Sequence, residues 1–212
     1  SNGKPDAFHV DMKNANVGAL WERYSRNDDD APRSEPAFQW KWRDVEPLID
    51  QAVRETGMDT AERRVIQMKN PGFPETATCA TSNINCGFQI LMPGERARPH
   101  RHTMNALRFV VDGEGAYTAV EGERTIMHEG DFVITPNWAW HDHGNESDRP
   151  MVWLDGLDLP MVQFFDASFV EPGAADRQEV KRPEGDSLPR FGSGLMPVGH
   201  THTRHASPVV SY

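Results

Sequence analysis

Three histidines in the middle of the chain have the residue type and the spacing for metal binding. His100 and His102 are two residues apart, and residues with that spacing point to the same face of an extended strand. His141 follows a later apolar segment and could reach the same side from a neighbouring strand. Imidazole nitrogen is the commonest metal ligand in proteins. The pattern predicts a metal site made of His100, His102 and His141.

The chemistry of such a site depends on the metal. Three histidines on one face of an octahedral metal leave room for a bidentate ortho-hydroxycarboxylate and for dioxygen, as in non-haem iron sites. Because neutral imidazoles leave the metal charge uncompensated, an anionic ligand would be favoured. Zinc or manganese would fit the same nitrogens and would indicate a non-redox isomerase or a small-molecule binding module. Both classes stay open on the residues alone.

Two further residues share strand parity with the histidines. Arg108 lies six residues after His102, and its guanidinium could hold a substrate carboxylate with two hydrogen bonds. His143 lies two residues after His141 and could exchange a proton with a substrate hydroxyl, since histidine titrates near neutral pH. The alternatives are an arginine on the surface of a sheet and a histidine in a loop.

The elements that must position these side chains are strands. From about residue 88 to residue 157 the hydrophobic period is two, with turn residues at short intervals. Asp112–Gly115 and Glu121–Gly122 supply residues that tolerate positive φ, so successive hairpins are expected. The candidate strands are Phe88–Met92, Leu107–Val111, Ala116–Val120, Thr125–Met127, Phe132–Ile134 and Met151–Leu154. This pattern predicts a β-barrel or a β-sandwich.

The flanking regions differ in composition. Residues 1–75 are charged and include an amphipathic helix over Trp42–Thr56. The alternating aromatics of Phe38–Trp42 favour an edge strand or an arm against a partner subunit. We expect the barrel to occupy residues 76–172. Residues 173–212 are rich in proline, glycine and charge and are interpreted as a linker, which makes His200, His202 and His205 poor metal candidates.

Composition limits the classes of partner. The chain of 212 residues has 22 lysines and arginines against 32 aspartates and glutamates, and this balance argues against nucleic acid and anionic membranes. Two cysteines are too few for a disulfide scaffold and favour a reducing compartment. No apolar run approaches the roughly 20 residues of a membrane helix, and no signal peptide is evident. We expect a soluble cytoplasmic protein.

The motifs around the histidines resemble those of the cupins. Gly94–His102 resembles the first cupin motif, and the segment from Gly130 to Asn145 resembles the second. Ala106 and Leu107 stand where a cupin usually has a glutamate ligand, so three histidines are the expected set. Trp138 replaces a glycine usual in the second motif. The resemblance implies a mainly β cupin fold, a double-stranded β-helix of jelly-roll type.

A three-histidine subgroup of cupins has almost the same sequence motifs, so the resemblance points to this subgroup in particular. The chain resembles the gentisate 1,2-dioxygenases, and the salicylate and 1-hydroxy-2-naphthoate dioxygenases share these motifs. The segments that carry the likeness are Pro93–Thr103, Asn105–Phe109, Gly115–Thr118, Trp140–Asn145 and Trp153–Asp158.

The resemblance implies an activity and a set of site residues. It implies an Fe(2+)-dependent enzyme that cleaves gentisate with O2 to maleylpyruvate, with salicylate or 1-hydroxy-2-naphthoate as alternative substrates. Arg64 and Gln89 would line the substrate pocket beside Arg108, and Asp155 would lie behind His143 and orient it. A homo-oligomer, a tetramer, is also implied. Such proteins carry two cupin barrels, whereas this chain runs from Ser1 to Tyr212, so we expect a piece of a longer chain.

Overall fold

The computed structural model describes residues 7–15, 35–57 and 63–192. The chain forms two compact units, residues 1–34 and residues 35–212. In the first unit the described residues form helix α1, Ala7–Asn14. In the second unit they form helices α2 (Trp42–Glu55), α3 (Leu159–Phe164) and α4 (Leu188–Phe191) together with the strands. None of these described helices is long and apolar enough to cross a membrane.

The strands of the second unit form two antiparallel sheets. The first sheet has the order β1-β2-β9-β4-β7, and the second has the order β10-β3-β8-β5-β6. The strand bounds are β1 Val65–Gln67, β2 Asn85–Leu91, β3 Arg96–His102, β4 Ala106–Asp112, β5 Glu114–Val120, β6 Glu123–His128, β7 Phe132–Thr135, β8 His141–Asn145, β9 Met151–Leu157 and β10 Val170–Pro172. The predicted mainly β fold is confirmed.

The space between the two sheets is filled from both sides. Strand alternation turns Leu91, Val110 and Trp153 of the first sheet inward, where they pack with Ala116 and Met127 of the second sheet. These side chains are almost completely buried. The buried polar side chains, among them His100, Arg108 and His143, lie in the rest of the interior.

Helix α2 covers part of the outer face of the first sheet. Its apolar stripe packs against the outward-facing Phe88, Ile90 and Val152, with Ile49 as the buried anchor. The helix stops where the backbone of Thr56 becomes extended, and the Thr56 N–H still bonds to the carbonyl of Ala52. This agrees with the predicted helix over residues 42–56.

Each predicted strand overlaps an observed strand, but four strands of the described residues are not in the predicted set: β1, β3, β8 and β10. Of β3, only His100 and His102 were expected on an extended segment. β8 (His141–Asn145) is buried without an apolar pattern. Phe38–Trp42 is not an edge strand: residues 35–41 are irregular and Trp42 begins α2. The Trp42 ring packs against Phe88 of β2, at a centroid distance of 5.7 Å.

The two predicted tight connections have different roles. Glu121 and Gly122 have φ of 49° and 79° and close the β5–β6 hairpin as expected. Asp112–Gly115 makes no hairpin, because β4 and β5 belong to different sheets. Gly113 has φ of 96°, and a Cβ there would lie 2.4 Å from the carbonyl oxygen of Pro150. The expectation of successive hairpins is therefore wrong at this crossing between the sheets.

Residues that follow β10 are hydrogen-bonded to the barrel. Gln178 donates to the carbonyl of Ala119 and to Asp142 Oδ1, and Ser187 bonds to Glu123. The segment from residue 173 to about residue 187 thus lies along the second sheet, although its composition favours a linker. The predicted linker role of residues 193–212 lies outside the described residues, and the predicted domain boundaries stay a prediction.

The packing of α2 generates a prediction about stability. Ile49 is 5% exposed and its neighbour Leu48 is 51% exposed. We expect Ile49→Ala to lower the free energy of unfolding by about 2–4 kcal/mol, because it leaves a cavity against Phe88 and Ile90. Leu48→Ala should change it by less than about 0.5 kcal/mol. Denaturant unfolding of both variants measures this, and equal losses would contradict the packing.

Candidate metal centre

The second sheet brings the three predicted histidines together. His100 and His102 lie on β3 with one residue between them, and His141 opens β8 directly opposite His100. The ring centroids of His100 and His141 are 4.0 Å apart, and those of His102 and His141 are 4.7 Å apart. One ring nitrogen from each histidine lies within 4.8 Å of the others. All three side chains are buried.

Each of these imidazoles is held in a defined orientation by the backbone. The Nδ1 atoms of His100, His102 and His141 lie 3.0, 2.8 and 2.9 Å from the carbonyl oxygens of Arg98, Met104 and Ala139. Since a carbonyl only accepts, each Nδ1 carries the proton and each Nε2 keeps its lone pair. The cluster therefore offers metal-binding lone pairs in fixed positions.

The free ring nitrogens are the feature that fits a metal. Among the described residues, Nε2 of His100 and Nε2 of His141 are buried without a hydrogen-bond partner. A buried nitrogen acceptor without a partner costs free energy that a metal ion would recover. The donor set of three imidazoles suits iron, zinc and other transition metals.

The electrostatic surroundings keep these histidines neutral. Burial lowers the pKa of His100 to about 3, with a smaller contribution from the Arg63 guanidinium. Burial also lowers the pKa of His141 to about 2, followed by the effect of Arg108. The pKa of His102 is lowered by the same causes, burial first. Neutral imidazole is the form that binds metal.

Arg108 lies in the barrel interior, on β4 of the first sheet, whereas His102 lies on β3 of the second. Arg108 is 3% exposed, and its Nη1 donates to Thr135 Oγ1 at 2.5 Å. Its Nε lies 3.5 Å from Asp155 Oδ1, on the paired residue of β9. Burial raises the pKa of the Asp155 carboxyl, and the adjacent guanidinium opposes that rise. The two side chains form a buried ion pair beside the histidines.

His143 and Gln89 also face the interior. The His143 ring lies 5.9 Å from that of His141 and 5.4 Å from that of Trp153. Burial holds the pKa of His143 well below its usual value. His143 Nδ1 and Gln89 Nε2 are buried without a hydrogen-bond partner among the described residues. Both side chains can therefore accept or donate hydrogen bonds to a bound molecule.

Asp155 is not bonded to His143 in the way that the resemblance implies. Its Oδ1 accepts a hydrogen bond from Trp153 Nε1 at 3.0 Å and faces Arg108. Trp153 lies two residues before Asp155 on the same face of β9, and its ring centroid is 5.4 Å from that of His143. Trp153 is therefore a neighbour that Asp155 and His143 share.

Arg64 has a different place from the predicted one. Its Nη1 and Nη2 bond to the two carboxylate oxygens of Glu95 at 2.8 and 3.0 Å, and its Nε donates to the carbonyl of Thr56. The preceding residue, Arg63, contributes with burial and Arg108 to the lowered pKa values of His100, His102 and His143. Strand parity explains the exchange, because Ile66 packs outward against the sheet face under α2 and Arg64 shares its parity.

The comparisons with known proteins agree with this architecture. A cupin domain family, Cupin_2, matches residues 87–157. The chain is 45% identical over 97% of its length to gentisate 1,2 dioxygenase 1 of Aquipseudomonas alcaligenes, and it covers 59% of that protein. It is 30% identical to the 5-nitrosalicylic acid 1,2-dioxygenase of Bradyrhizobium sp., of which it covers 73%.

The chain belongs to the gentisate 1,2-dioxygenase family of cupins. A solved member is the salicylate 1,2-dioxygenase from Pseudaminobacter salicylatoxidans, with 32% identity and a TM-score of 0.76 over 93% of this chain and 57% of that chain. That enzyme has also been solved as adducts with gentisate, with a TM-score of 0.74 to this chain. This chain spans little more than half the length of several of these relatives.

Sequence reasoning missed two residues of this family site, and other histidines lie away from it. Arg63 was missed because the parity of β1 is not visible in Arg63-Arg64-Val65, and Trp153 because its apolar neighbours hide its polar nitrogen. His128 is exposed and lies beside Asp131, as expected for a surface residue. His200, His202 and His205 lie outside the described residues.

The buried histidines generate a prediction about pH. Their folded pKa values lie below the 6.5 of an ordinary histidine, so the unfolded state binds more protons once the pH drops below about 6.5. The metal-free protein should be fully stabilised above that pH and lose stability as the pH falls toward about 3, by up to about 1.4 kcal/mol per pH unit for each histidine.

Thermal denaturation of the chelator-treated protein between about pH 7.5 and 5 measures this dependence. His141→Leu removes one of the titrating groups and should give a shallower fall of melting temperature with pH. An unchanged slope in that variant would contradict the assignment of a depressed pKa to His141.

Proposed function

We propose that this chain holds ferrous iron on His100, His102 and His141 and cleaves the aromatic ring of gentisate with dioxygen to give maleylpyruvate. The observation that carries the proposal is the set of three oriented imidazoles, two of them with buried, unpartnered Nε2 atoms among the described residues, beside a buried arginine. Family membership supports the reaction class. The roles of the individual residues follow from their contacts.

The residues present fit an iron site without a protein carboxylate. Ala106 occupies the position of the usual cupin glutamate, so the ligand set is electrically neutral. When bound, ferrous iron supplies a chelation site for an ortho-hydroxycarboxylate and a redox path between the ring and dioxygen. The lack of a protein anion favours substrates that bring their own negative charge.

Arg108 and Arg63 make the interior attractive to a carboxylate. Both guanidiniums lower the pKa of His100, His102 and His143, so their positive charge acts at the histidine cluster. Asp155 lies beside Arg108, and the charge of Arg63 also acts on its carboxyl. Arg108 is held between Asp155 and Thr135, and this fixed position allows it to bind the substrate carboxylate without first ordering its side chain.

His143 is the residue that can receive a proton. Its ring lies beside His141, and its Nδ1 has no hydrogen-bond partner among the described residues. Its Nδ1 can accept a hydrogen bond from the substrate hydroxyl. Burial opposes protonation of this imidazole, and the negative charge of the bound substrate would offset that effect and favour transfer of the hydroxyl proton to Nδ1. Gln89, which lies on β2 of the first sheet, can donate a hydrogen bond from its Nε2 to a substrate oxygen.

Asp155 acts through two neighbours. It pairs with Arg108 and accepts from Trp153 Nε1, and the Trp153 ring packs against His143. We assign Asp155 the role of positioning both the carboxylate-binding arginine and the proton acceptor. This replaces the direct contact between Asp155 and His143 that the resemblance implies.

Gentisate is favoured over related acids because gentisate 1,2-dioxygenases are among the relatives of highest identity. Salicylate and 1-hydroxy-2-naphthoate are the alternatives, since dioxygenases named for these acids also match the chain. A homo-oligomeric state and a cytoplasmic location remain predictions from the sequence.

Oxygen uptake tests the proposed reaction. The full chain, reconstituted anaerobically with Fe(II), should consume equimolar oxygen with gentisate and produce a ring-opened chromophore in the ultraviolet. Salicylate and 1-hydroxy-2-naphthoate, tested in parallel, identify the substrate. His141→Ala should lose iron and activity, whereas His128→Ala, a surface histidine, should keep both. Absence of oxygen uptake by intact, iron-loaded protein with all three acids would overturn the proposal.

Arg108→Lys tests the binding of the carboxylate. Lysine keeps the positive charge beside Asp155 but cannot form the two-pronged contact, so we expect KM for gentisate to rise by about tenfold or more. Iron content should stay unchanged, because lysine keeps the charge and the side-chain partners of Arg108 among the described residues are Thr135 and Asp155. Arg124→Lys, on the outer face of the second sheet, is the matched control. An unchanged KM in Arg108→Lys would place the carboxylate elsewhere.

A further inference from the structure

A three-residue segment before β8 touches two of the three proposed metal ligands through its backbone. The Trp138 N–H donates to the carbonyl of His102 at 2.7 Å. The carbonyl of Ala139 accepts the Nδ1 proton of His141 at 2.9 Å. The conformation of residues 138–140 therefore fixes the direction in which His141 Nε2 points.

That conformation is unfavourable for the residue that adopts it. Trp138 has φ of 62°, in the left-handed region, which bulky side chains seldom adopt and glycine adopts freely. Backbone hydrogen bonds from Trp138 to His102 and from Ala139 to Pro136 define the turn. Contacts made by the Trp138 side chain can offset the cost that positive φ imposes on a bulky residue.

Arg101 supplies those contacts from the opposite face of β3. It lies between His100 and His102, so its side chain points outward where theirs point inward. Its guanidinium carbon lies 4.5 Å from the Trp138 ring centroid and 4.7 Å from that of Trp140. At these distances a guanidinium attracts the faces of both indoles.

The guanidinium is itself anchored. Arg101 Nε and Nη2 lie 2.8 and 2.6 Å from Glu171 Oε2, on the edge strand β10 that pairs with β3. The backbone N–H of Trp140 donates to Glu121 Oε1 at 2.6 Å. We name Arg101, Trp138, Trp140 and Glu171 the arginine clamp.

We propose that Arg101 is a positioning residue for the metal centre, which holds the Trp138–Trp140 segment so that Ala139 orients the His141 imidazole. The proposal rests on the proposed three-histidine metal site. It differs from a purely structural role, because a clamp of this kind sets metal affinity and ligand geometry as well as stability. Residues that orient ligands from outside commonly change metal affinity about 10–100-fold when they are replaced.

The chain offers a matched control for the same kind of interaction. Arg124 lies 4.0 Å from the Tyr117 ring centroid and bonds to Glu146 at 2.5 Å, on the outer face of the same sheet. Neither Tyr117 nor Glu146 makes a hydrogen bond to a histidine of the cluster within the described part of the chain. Loss of Arg124 should therefore lower stability without affecting the metal centre.

Cobalt(II) titration of the full chain measures the effect, because its visible absorption reports ligand geometry. We expect Arg101→Leu to weaken cobalt binding by about tenfold or more and to shift its visible bands. Arg101→Lys, which keeps the charge near Glu171 but lacks a planar group, should restore part of the affinity. Arg124→Leu should lower the melting temperature of the metal-free protein and leave affinity and spectrum unchanged.

Repeating the Arg101→Leu substitution in a Trp138→Gly variant tests whether Arg101 affects cobalt affinity through Trp138. Trp138→Gly removes both the ring and the cost of positive φ, so Arg101→Leu should weaken cobalt binding much less in that background than in the native chain. A full effect in both backgrounds would overturn the proposal. So would equal cobalt affinities in Arg101→Leu and Arg124→Leu.

These outcomes are distinct from failure of the metal site itself. If the native chain did not bind cobalt, or bound it equally well after His141→Ala, the three-histidine site and the clamp would be overturned together. If binding required His141 but was unaffected by Arg101→Leu, the clamp alone would be wrong.

Discussion

The site depends on one constraint: the proton on each of three buried imidazoles is fixed at Nδ1 by a backbone carbonyl. Without those carbonyls, a histidine ring could rotate or adopt the other tautomer, and its Nε2 lone pair would not be held toward its neighbours. The three acceptors belong to Arg98, Met104 and Ala139. Each lies two residues from the histidine it orients, so local backbone shape decides where each lone pair points.

That requirement explains the irregularities around the site. The pairing of β3 with β8 shifts register between Ala97 and His100, and Arg98, whose carbonyl serves His100, lies within the shift. Before β8, Trp138 adopts positive φ, one residue before the carbonyl that serves His141. A regular ladder would point both carbonyls at a neighbouring strand. The departures from ideal geometry therefore supply the acceptors that orient the rings.

Much of the fold and of the site could be predicted from parity. Period two located the apolar strands and placed His100 and His102 on one face of β3. Arg108 also faces the interior, but from β4 in the other sheet, beyond the turn that follows His102. Period two failed where parity depends on a register that the sequence does not display. Arg63 and Arg64 are chemically alike and both precede β1, so the sequence does not show which of them pairs with Glu95 and which acts on the histidines.

Other misses have equally physical causes. β8 was not predicted as a strand because its buried side chains are polar, so no hydrophobic signal remains. Residues 173–187 make their contacts with the barrel through hydrogen bonds, which leave no periodic pattern. The contact between Asp155 and His143 is replaced by one through Trp153, because the indole occupies the space between the two sheets.

The two faces of β3 are coupled in a way that limits which substitutions the strand can accept. Its inward side chains are the proposed ligands, and its outward side chain, Arg101, lies against the segment that orients the third ligand. A strand normally allows its exposed face to vary independently of its buried face. Here, a change on the exposed face passes through Trp138 and Ala139 to His141, so both faces contribute to a single centre.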